Sequence, residues 1–146
     1  MAALFEDKPE ERFTPESLEK YALVFAQHLS DPTSDQSAVV IRAGKHGSLT
    51  AIGSDKVRWL PAFYHDPSPR IVDPTGAGNT FLGGFLAGWQ RTHNVEEASV
   101  WGNVAASLAL EQTGLPSRRT EEGLELWNET SIPDRLQEYK ARIGFC

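Results

Sequence analysis

Asp73-Pro74-Thr75-Gly76-Ala77-Gly78-Asn79-Thr80-Phe81 decides the reading of this 146-residue chain. A β-branched run, Arg70-Ile71-Val72, leads into it and reads as a short strand; small residues follow and start a helix. Strand, glycine turn and helix start leave unpaired backbone N–H groups at the positive end of a helix dipole, which suits a phosphate or a transient anion. Two standard phosphate motifs fail. The P-loop requires Gly, four residues, then Gly-Lys-Ser/Thr, and Gly44-Lys45-His46-Gly47-Ser48 does not satisfy it. The dinucleotide fingerprint requires Gly or Ala three residues after its second glycine. Gly76-Ala77-Gly78 places Phe81 there, too bulky for that close packing.

Working outward, the periodicities describe helices alternating with buried strands, a layered α/β fold. Thr14-Pro15-Glu16 supplies a capping hydroxyl, proline at the first helical position and an acid against the dipole. Leu18, Tyr21, Ala22, Phe25 and Leu29 follow at helical spacing, and Asp31-Pro32-Thr33-Ser34-Asp35 ends the helix in a loop. Ala38-Val39-Val40-Ile41 is a continuous apolar run, the pattern of a parallel strand buried on both faces. Gly44 to Gly47 is a turn; residues 48–52 and 56–60 form a hairpin around Gly53-Ser54-Asp55, and 61–69 a loop.

Residues 77–91 carry apolar side chains on most of a helical surface, which predicts deep burial. Gly83, Gly84 and Gly88 each cost that helix roughly 1 kcal/mol relative to alanine, and so point to close helix–sheet packing. A second helix opens at Asn94 or Val95 and runs to about Gln112, with Ala98, Trp101, Ala105 and Leu108 on one face. Thr120-Glu121-Glu122 caps a short helix through Trp127, and 133–142 make an amphipathic helix with Leu136, Tyr139 and Ile143 inward. Trp59, Trp89, Trp101 and Trp127 stand at apolar positions, as core residues do.

Composition narrows the function classes. With 40% hydrophobic and 23% charged residues the chain suits one soluble domain. A net charge of −6 argues against non-specific binding to nucleic acid or an anionic membrane. Cys146, the sole cysteine, allows no intramolecular disulfide and fits a reducing compartment, the cytoplasm. Residues 1–13 are acidic, read as mobile and lack the apolar core of a secretory signal. Residues 81–89 are too short and glycine-rich a run to span a bilayer. His28, His65 and His93 show no metal-ligand spacing.

Four landmarks in order resemble the ribokinase-like family, the PfkB carbohydrate kinases, over residues 36–118. Val39-Val40-Ile41-Arg42-Ala43-Gly44-Lys45-His46-Gly47 resembles its strand and phosphate-contacting turn. Residues 73–81 resemble its signature Asp-Thr-x-Gly-Ala-Gly-Asp-x-Phe, and the Asp-Pro-Thr-Gly-Ala-Gly-Asn wording is similar to the fungal maintenance-of-killer group within the family. Asn103-Val104-Ala105-Ala106-Ser107 resembles the helix that touches adenine, and Gln112-Thr113-Gly114-Leu115-Pro116-Ser117 the loop that closes an alkali-cation site.

The resemblance implies the C-terminal portion of a three-layer α/β/α fold, with 14–146 as a partial domain. It implies ATP-dependent phosphorylation, with Mg²⁺, of a sugar or nucleoside hydroxyl. It places Arg42, Gly44, Lys45, His46, Gly47 and Gly78 on the nucleotide phosphates and Asn103 at the adenine. Gly76, Ala77 and Gly78 would form an anion hole with the Asn79 N–H, and Asp73, Thr75, Ala109, Gln112, Gly114 and Ser117 would surround a monovalent cation such as K⁺. For Lys45-His46, a solvated hairpin tip is the equal alternative.

This chain departs from the family in two ways. Asn79 stands where the family has its catalytic aspartate, and an amide cannot take a proton; loss of a general base costs about 10²–10⁴ in rate. The family's N-terminal half, with its Gly-Gly sugar motif, lid and several central strands, is not in this sequence. Three readings follow. One is a kinase fold that keeps its nucleotide with impaired or lost transfer. Another is an active kinase complemented by a partner subunit or a second copy, with Asp66 or Asp73 as base. The third is a non-catalytic interaction module.

Overall fold

The computed structural model describes residues 14–29 and 37–145. The expectations for residues 1–13, for the loop at 31–35 and for Cys146 lie outside them. The chain divides into two compact units, Met1–Ile41 with Leu49–Arg58, and Arg42–Ser48 with Trp59–Cys146.

In the first unit, helix α1 (Pro15–Leu29) starts where the Thr14 signal places it. The Thr14 hydroxyl accepts from the Ser17 N–H at 3.2 Å and the Ser17 hydroxyl from the Thr14 N–H at 3.1 Å, a reciprocal cap. Strands β1 (Ala38–Arg42), β2 (Ser48–Ile52) and β3 (Lys56–Leu60) form a sheet in the order β1-β2-β3, their end residues passing into the second unit. The connections 43–47 and 53–55 are too short for parallel neighbours, which need a crossover of about a dozen residues. Bonds from Ala43 N–H to Gly47 O (2.8 Å) and from Gly53 N–H to Ser37 O (3.0 Å) bracket the antiparallel β1–β2 ladder. The parallel, doubly covered reading of Ala38-Val39-Val40-Ile41 is therefore corrected: β1 is half-buried, and the buried strand is the central one, β2, with Ser48, Leu49, Thr50 and Ala51 all enclosed. An apolar run signals burial without fixing the direction of its neighbours.

The second unit is built on α2 (Ala77–Thr92) and α3 (Val95–Leu110), which interlock. A Cβ on Gly84 would lie 2.6 Å from the Trp101 carbonyl oxygen and 2.4 Å from Ala105 Cβ. One on Gly88 would lie 2.7 Å from the Trp101 ring, and one on Gly102 of α3 2.7 Å from the Phe81 ring of α2. The glycines thus serve helix–helix rather than helix–sheet packing, and Gly83 serves neither, since nothing lies within 4 Å of its Cβ position. Nor is α2 deeply buried. Only Phe81 and Gly88 are enclosed, while Leu82, Leu86 and Trp89 are 48%, 59% and 41% exposed. The other three tryptophans are half-buried rather than core. The core of this unit is Leu60, Phe63, Val100, Val104, Leu136 and Tyr139, the last two from α4 (Ile132–Ile143).

Two expected elements take other forms. Arg70-Ile71-Val72 is not a strand: Arg70 lies in a turn closed by Ile71 N–H on Ser68 O at 3.1 Å, and the N–H groups of Val72 and Asp73 donate to Leu110 O at 2.7 and 3.2 Å. The helix expected over 120–127 is an antiparallel hairpin, β4 (Arg118–Glu121) and β5 (Leu124–Trp127). Glu122 and Gly123 both have positive φ, 51° and 83°, as a two-residue hairpin turn requires. The turn glycine outweighed the helix-capping pattern of the acids before it.

A buried ionic cluster joins the end of α3 to its surroundings. Glu111 Oε1 accepts from Arg135 Nη1 of α4 at 2.8 Å, from Arg70 Nη2 at 3.2 Å and from the Tyr64 hydroxyl. Its Oε2 accepts from Asn128 Nδ2, just past β5, at 2.7 Å. Arg135 and Glu111 are 5% and 9% exposed, so this pair is shielded from solvent; Arg70, 62% exposed, adds little. Burial pushes the Glu111 carboxyl up, but hydrogen bonds from Tyr64, Arg135 and Asn128 outweigh it and hold it below the usual glutamate value.

Gly83→Ala should raise stability by roughly 0.5–1 kcal/mol in chemical denaturation, because alanine is the better helix former and meets open space. Gly84→Ala should lower it by about 1–3 kcal/mol through overpacking against α3; equal effects at the two neighbours would contradict the interlock. A carboxyl depressed on folding contributes fully above its unfolded value, here 4.5, and ceases to as pH falls through the folded value. Thermal melts from pH 6 to 3.5 should therefore show a steeper loss of Tm for the wild-type chain than for Glu111→Gln.

Candidate functional site

Helix α2 begins at Gly76, whose φ of 83° is a left-handed conformation natural to glycine. Pro74 O accepts from Ala77 N–H at 3.3 Å, and Gly76 O from the N–H groups of Asn79 (3.0 Å) and Thr80 (2.9 Å). Of the three expected anion-hole donors, only Gly78 N–H closes no such turn among the described residues. The Arg42 guanidinium donates to Gly78 O, and a Cβ on Gly78 would lie 2.7 Å from Arg42 Nη1, so a larger residue there would make the guanidinium shift. A cation is thereby held in the first turn of a helix, where the dipole disfavours it unless an anion is also present.

Arg42 and Gly78 line a cavity of about 620 Å³ in the second unit, a size suited to a small ligand. Three of the four sequence landmarks meet in its wall. Gly44, Lys45 and Gly47 come from the turn after β1, Ala77 and Phe81 from the start of α2, and Asn103 and Ser107 from α3. The loop after β3 adds Phe63, Tyr64 and Asp66. His46, Gly76 and Asn79 are exposed and do not line it. Asn79 sits in the first turn of α2 with its side chain open to solvent.

Asn103 is 6% exposed, and its amide nitrogen donates to Ser48 Oγ at 2.9 Å and to the Tyr139 hydroxyl oxygen at 3.0 Å. Burial pushes Tyr139 up to about 12, so it stays protonated and donates to Pro61 O. With its nitrogen committed to the core, Oδ1 is the one polar side-chain atom of Asn103 left for a ligand. Asp73 is held below the usual carboxylate range by the Thr75 hydroxyl and N–H, the latter 2.8 Å from its Oδ1. That makes it a weak base.

Two further residues assigned to a monovalent cation, Gln112 and Ser117, are hydrogen-bonded within the protein. Gln112 Nε2 donates to Leu108 O (3.0 Å) and Ala109 O (3.4 Å), and its Oε1 accepts from Asn128 Nδ2 at 2.7 Å. Ser117 donates from its N–H (2.9 Å) and hydroxyl (3.4 Å) to Asn128 Oδ1. A cation needs free oxygens, and Gln112 turns a nitrogen rather than an oxygen toward the Ala109 carbonyl. Sequence reading missed Tyr64, Glu111, Arg135 and Asn128, which belong to no motif and meet only in the fold. The one local hint was Asn128-Glu129, a pair at positive φ (47° and 68°) of the kind asparagine tolerates.

The sequence profile described as pfkB family carbohydrate kinase matches residues 11–121. The chain is 33% identical over 136 residues to Protein MAK32 of Saccharomyces cerevisiae, covering 89% of this chain and 36% of that protein. It is 44% identical over 106 residues to an inositol 3-kinase of Arabidopsis thaliana, covering 73% and 27%. The crystal structure of Methanocaldococcus jannaschii nucleoside kinase, an archaeal member of the ribokinase family, is similar with a TM-score of 0.52 at 26% identity, over 69% of this chain and 30% of that one. Adenosine kinase of Schistosoma mansoni shares the fold, with a TM-score of 0.57 at 22% identity over the same shares. The chain spans about a third of the length of the relatives it matches. It belongs to the pfkB family of carbohydrate kinases.

Proposed function

We propose that this chain is the nucleotide-binding part of a carbohydrate or nucleoside kinase, that 14–146 is a partial domain of the three-layer α/β/α fold, and that it holds ATP·Mg²⁺ with phosphoryl transfer impaired. The carrying observation is the convergence of Arg42, Lys45 and the glycine start of α2 on one cavity with Asn103. The cation-bearing helix start gives phosphates both charge and an N–H donor. Asn103 Oδ1 offers an acceptor to an exocyclic amino group. Mg²⁺ enters with the phosphates and needs few protein ligands. ATP would supply the γ-phosphoryl group. Asn79 can orient an acceptor hydroxyl but cannot remove its proton, and loss of that base lowers the rate by about 10²–10⁴. A reducing, cytoplasmic setting agrees with the single cysteine. Among the described residues no helix is long and apolar enough to cross a membrane.

A second reading, a complemented active kinase, is favoured by Asp66, a carboxylate in the wall of the same cavity. It is also favoured by the exposed stripe Leu82, Leu86 and Trp89 on α2, which a covering partner would bury.

Calorimetric titration with ATP·Mg²⁺ should give saturable heat that ADP competes away, and Arg42→Ala should weaken binding by about tenfold or more, the value of a charge-assisted hydrogen bond. No heat would overturn the reading. In a coupled assay with a sugar and nucleoside panel, Asn79→Asp alone should not produce turnover, because this chain spans only about a third of the length of its relatives. Turnover by the unaltered chain, abolished by Asp66→Asn, would instead establish the second reading.

A further inference from the structure

The Glu111 cluster reaches the cavity at two points. Oε1 of Glu111 accepts a hydrogen bond from the Tyr64 hydroxyl, and Arg135, paired with the same oxygen at 2.8 Å, donates from Nη1 to Ser107 Oγ at 3.1 Å. Tyr64 and Ser107 both line the cavity, whereas Glu111 and Arg135 do not. The cavity lining combines two chemistries, the cations Arg42 and Lys45 and an apolar, aromatic set that includes Phe63, Tyr64, Ile71 and Leu110. Phe63 and Tyr64 meet edge to face with centroids 5.0 Å apart. An apolar, partly aromatic wall with hydroxyls already bonded within the protein suits a flat heteroaromatic ring better than a phosphate.

We propose that Glu111 is a positioning residue for the base-binding part of the cavity, fixing Tyr64 directly and Ser107 through Arg135 so that a planar nucleobase meets a preset wall. This rests on the nucleotide reading above and adds to it the residue behind the wall. The cluster is suited to the task because both partners are shielded. Arg135 is 5% exposed and Glu111 9%, so their hydrogen bonds resist exchange with water. Burial, and then the bond to Glu111, push the Tyr64 hydroxyl up, which keeps it a proton donor across the physiological range. A wall fixed before binding spares the ligand the cost of ordering those side chains.

The test separates the two parts of the ligand by titrating the full chain with ATP·Mg²⁺ and, separately, with inorganic tripolyphosphate·Mg²⁺. Tyr64→Phe keeps the ring and removes only the hydroxyl that Glu111 holds; Glu111→Gln removes the charge. Each should weaken ATP binding about three- to tenfold, the worth of about one hydrogen bond, and leave tripolyphosphate binding within about twofold. A purely structural role would lower both ligands together or only the melting temperature, and either result overturns the proposal, as does an unchanged ATP affinity in Tyr64→Phe. Should Glu111→Gln fail to fold, Tyr64→Phe decides alone. A wild-type chain that binds neither ligand overturns the nucleotide reading, and this inference with it. One that binds both, with Tyr64→Phe indistinguishable from it, overturns only the inference.

Discussion

Everything at the site depends on how closely α2 and α3 approach. Gly84 and Gly88 of α2 make room for Trp101, and Gly102 of α3 makes room for Phe81. Each helix thus accepts an aromatic side chain of the other, which fixes their relative slide as well as their spacing. The pairings run in opposite chain directions, Gly88 with Ala98 and Trp101, then Gly84 with Trp101 and Ala105. The helices are therefore antiparallel, and the start of α2 lies beside the end of α3. That is why Val72 and Asp73 can bond to Leu110 O just before the glycine turn, and why one cavity has walls from both helices.

The second constraint is polar. The loop after β3 has no regular structure; Phe63 anchors it in the core, α4 bonds to Pro61 O and Phe63 O, and further bonds tie it to the end of α3. Glu111 receives Tyr64 and Arg70, and Leu110 O receives Val72 and Asp73. A buried ion pair is seldom a large source of stability, because desolvation offsets the attraction. Its contribution here is specificity of placement: it selects one loop conformation and ties α4 and the β4–β5 hairpin to the same point. Asn128 extends the arrangement by donating to Leu108 O, Glu111 and Gln112, with distances of 2.7–2.9 Å. Asn128 thus anchors the 112–117 segment through Gln112 and Ser117.

The sequence carried the local physics well. The Thr14 cap, the hairpin around Gly53-Ser54-Asp55, the start of α2 at Ala77, the Asn94 cap that accepts from Glu97 N–H at 2.9 Å, and the inward faces of Leu136 and Tyr139 were all legible, because capping and periodicity act over a few residues. What was not legible depends on partners. Arg70-Ile71-Val72 has strand composition, yet a strand exists only beside another. The apolar surface of α2 predicted burial, but Leu82 and Leu86 face solvent because no element among the described residues covers them. The residues proposed to contact phosphate were readable as motifs, whereas Glu111 and Arg135 were not, being separated in sequence and joined only when α4 folds back on α3.

The placement of Arg42 couples affinity to stability. Its guanidinium bonds to a carbonyl in the first turn of α2, where a positive charge opposes the helix dipole by roughly 0.3–1 kcal/mol. An anion at the same place reverses the sign of that term, because it is attracted to both the dipole and the guanidinium. On the proposed reading the empty protein carries a small electrostatic strain that the ligand relieves. Ligand at about a hundred times its Kd would add about 2.7 kcal/mol to the folded state through mass action alone. Asn79 does not disturb this balance. An aspartate there would place a negative charge in the same turn and satisfy the dipole from within, lessening what an anionic ligand has to gain. The amide leaves the helix start electropositive, a state better matched to holding phosphate than to drawing a proton from an acceptor hydroxyl.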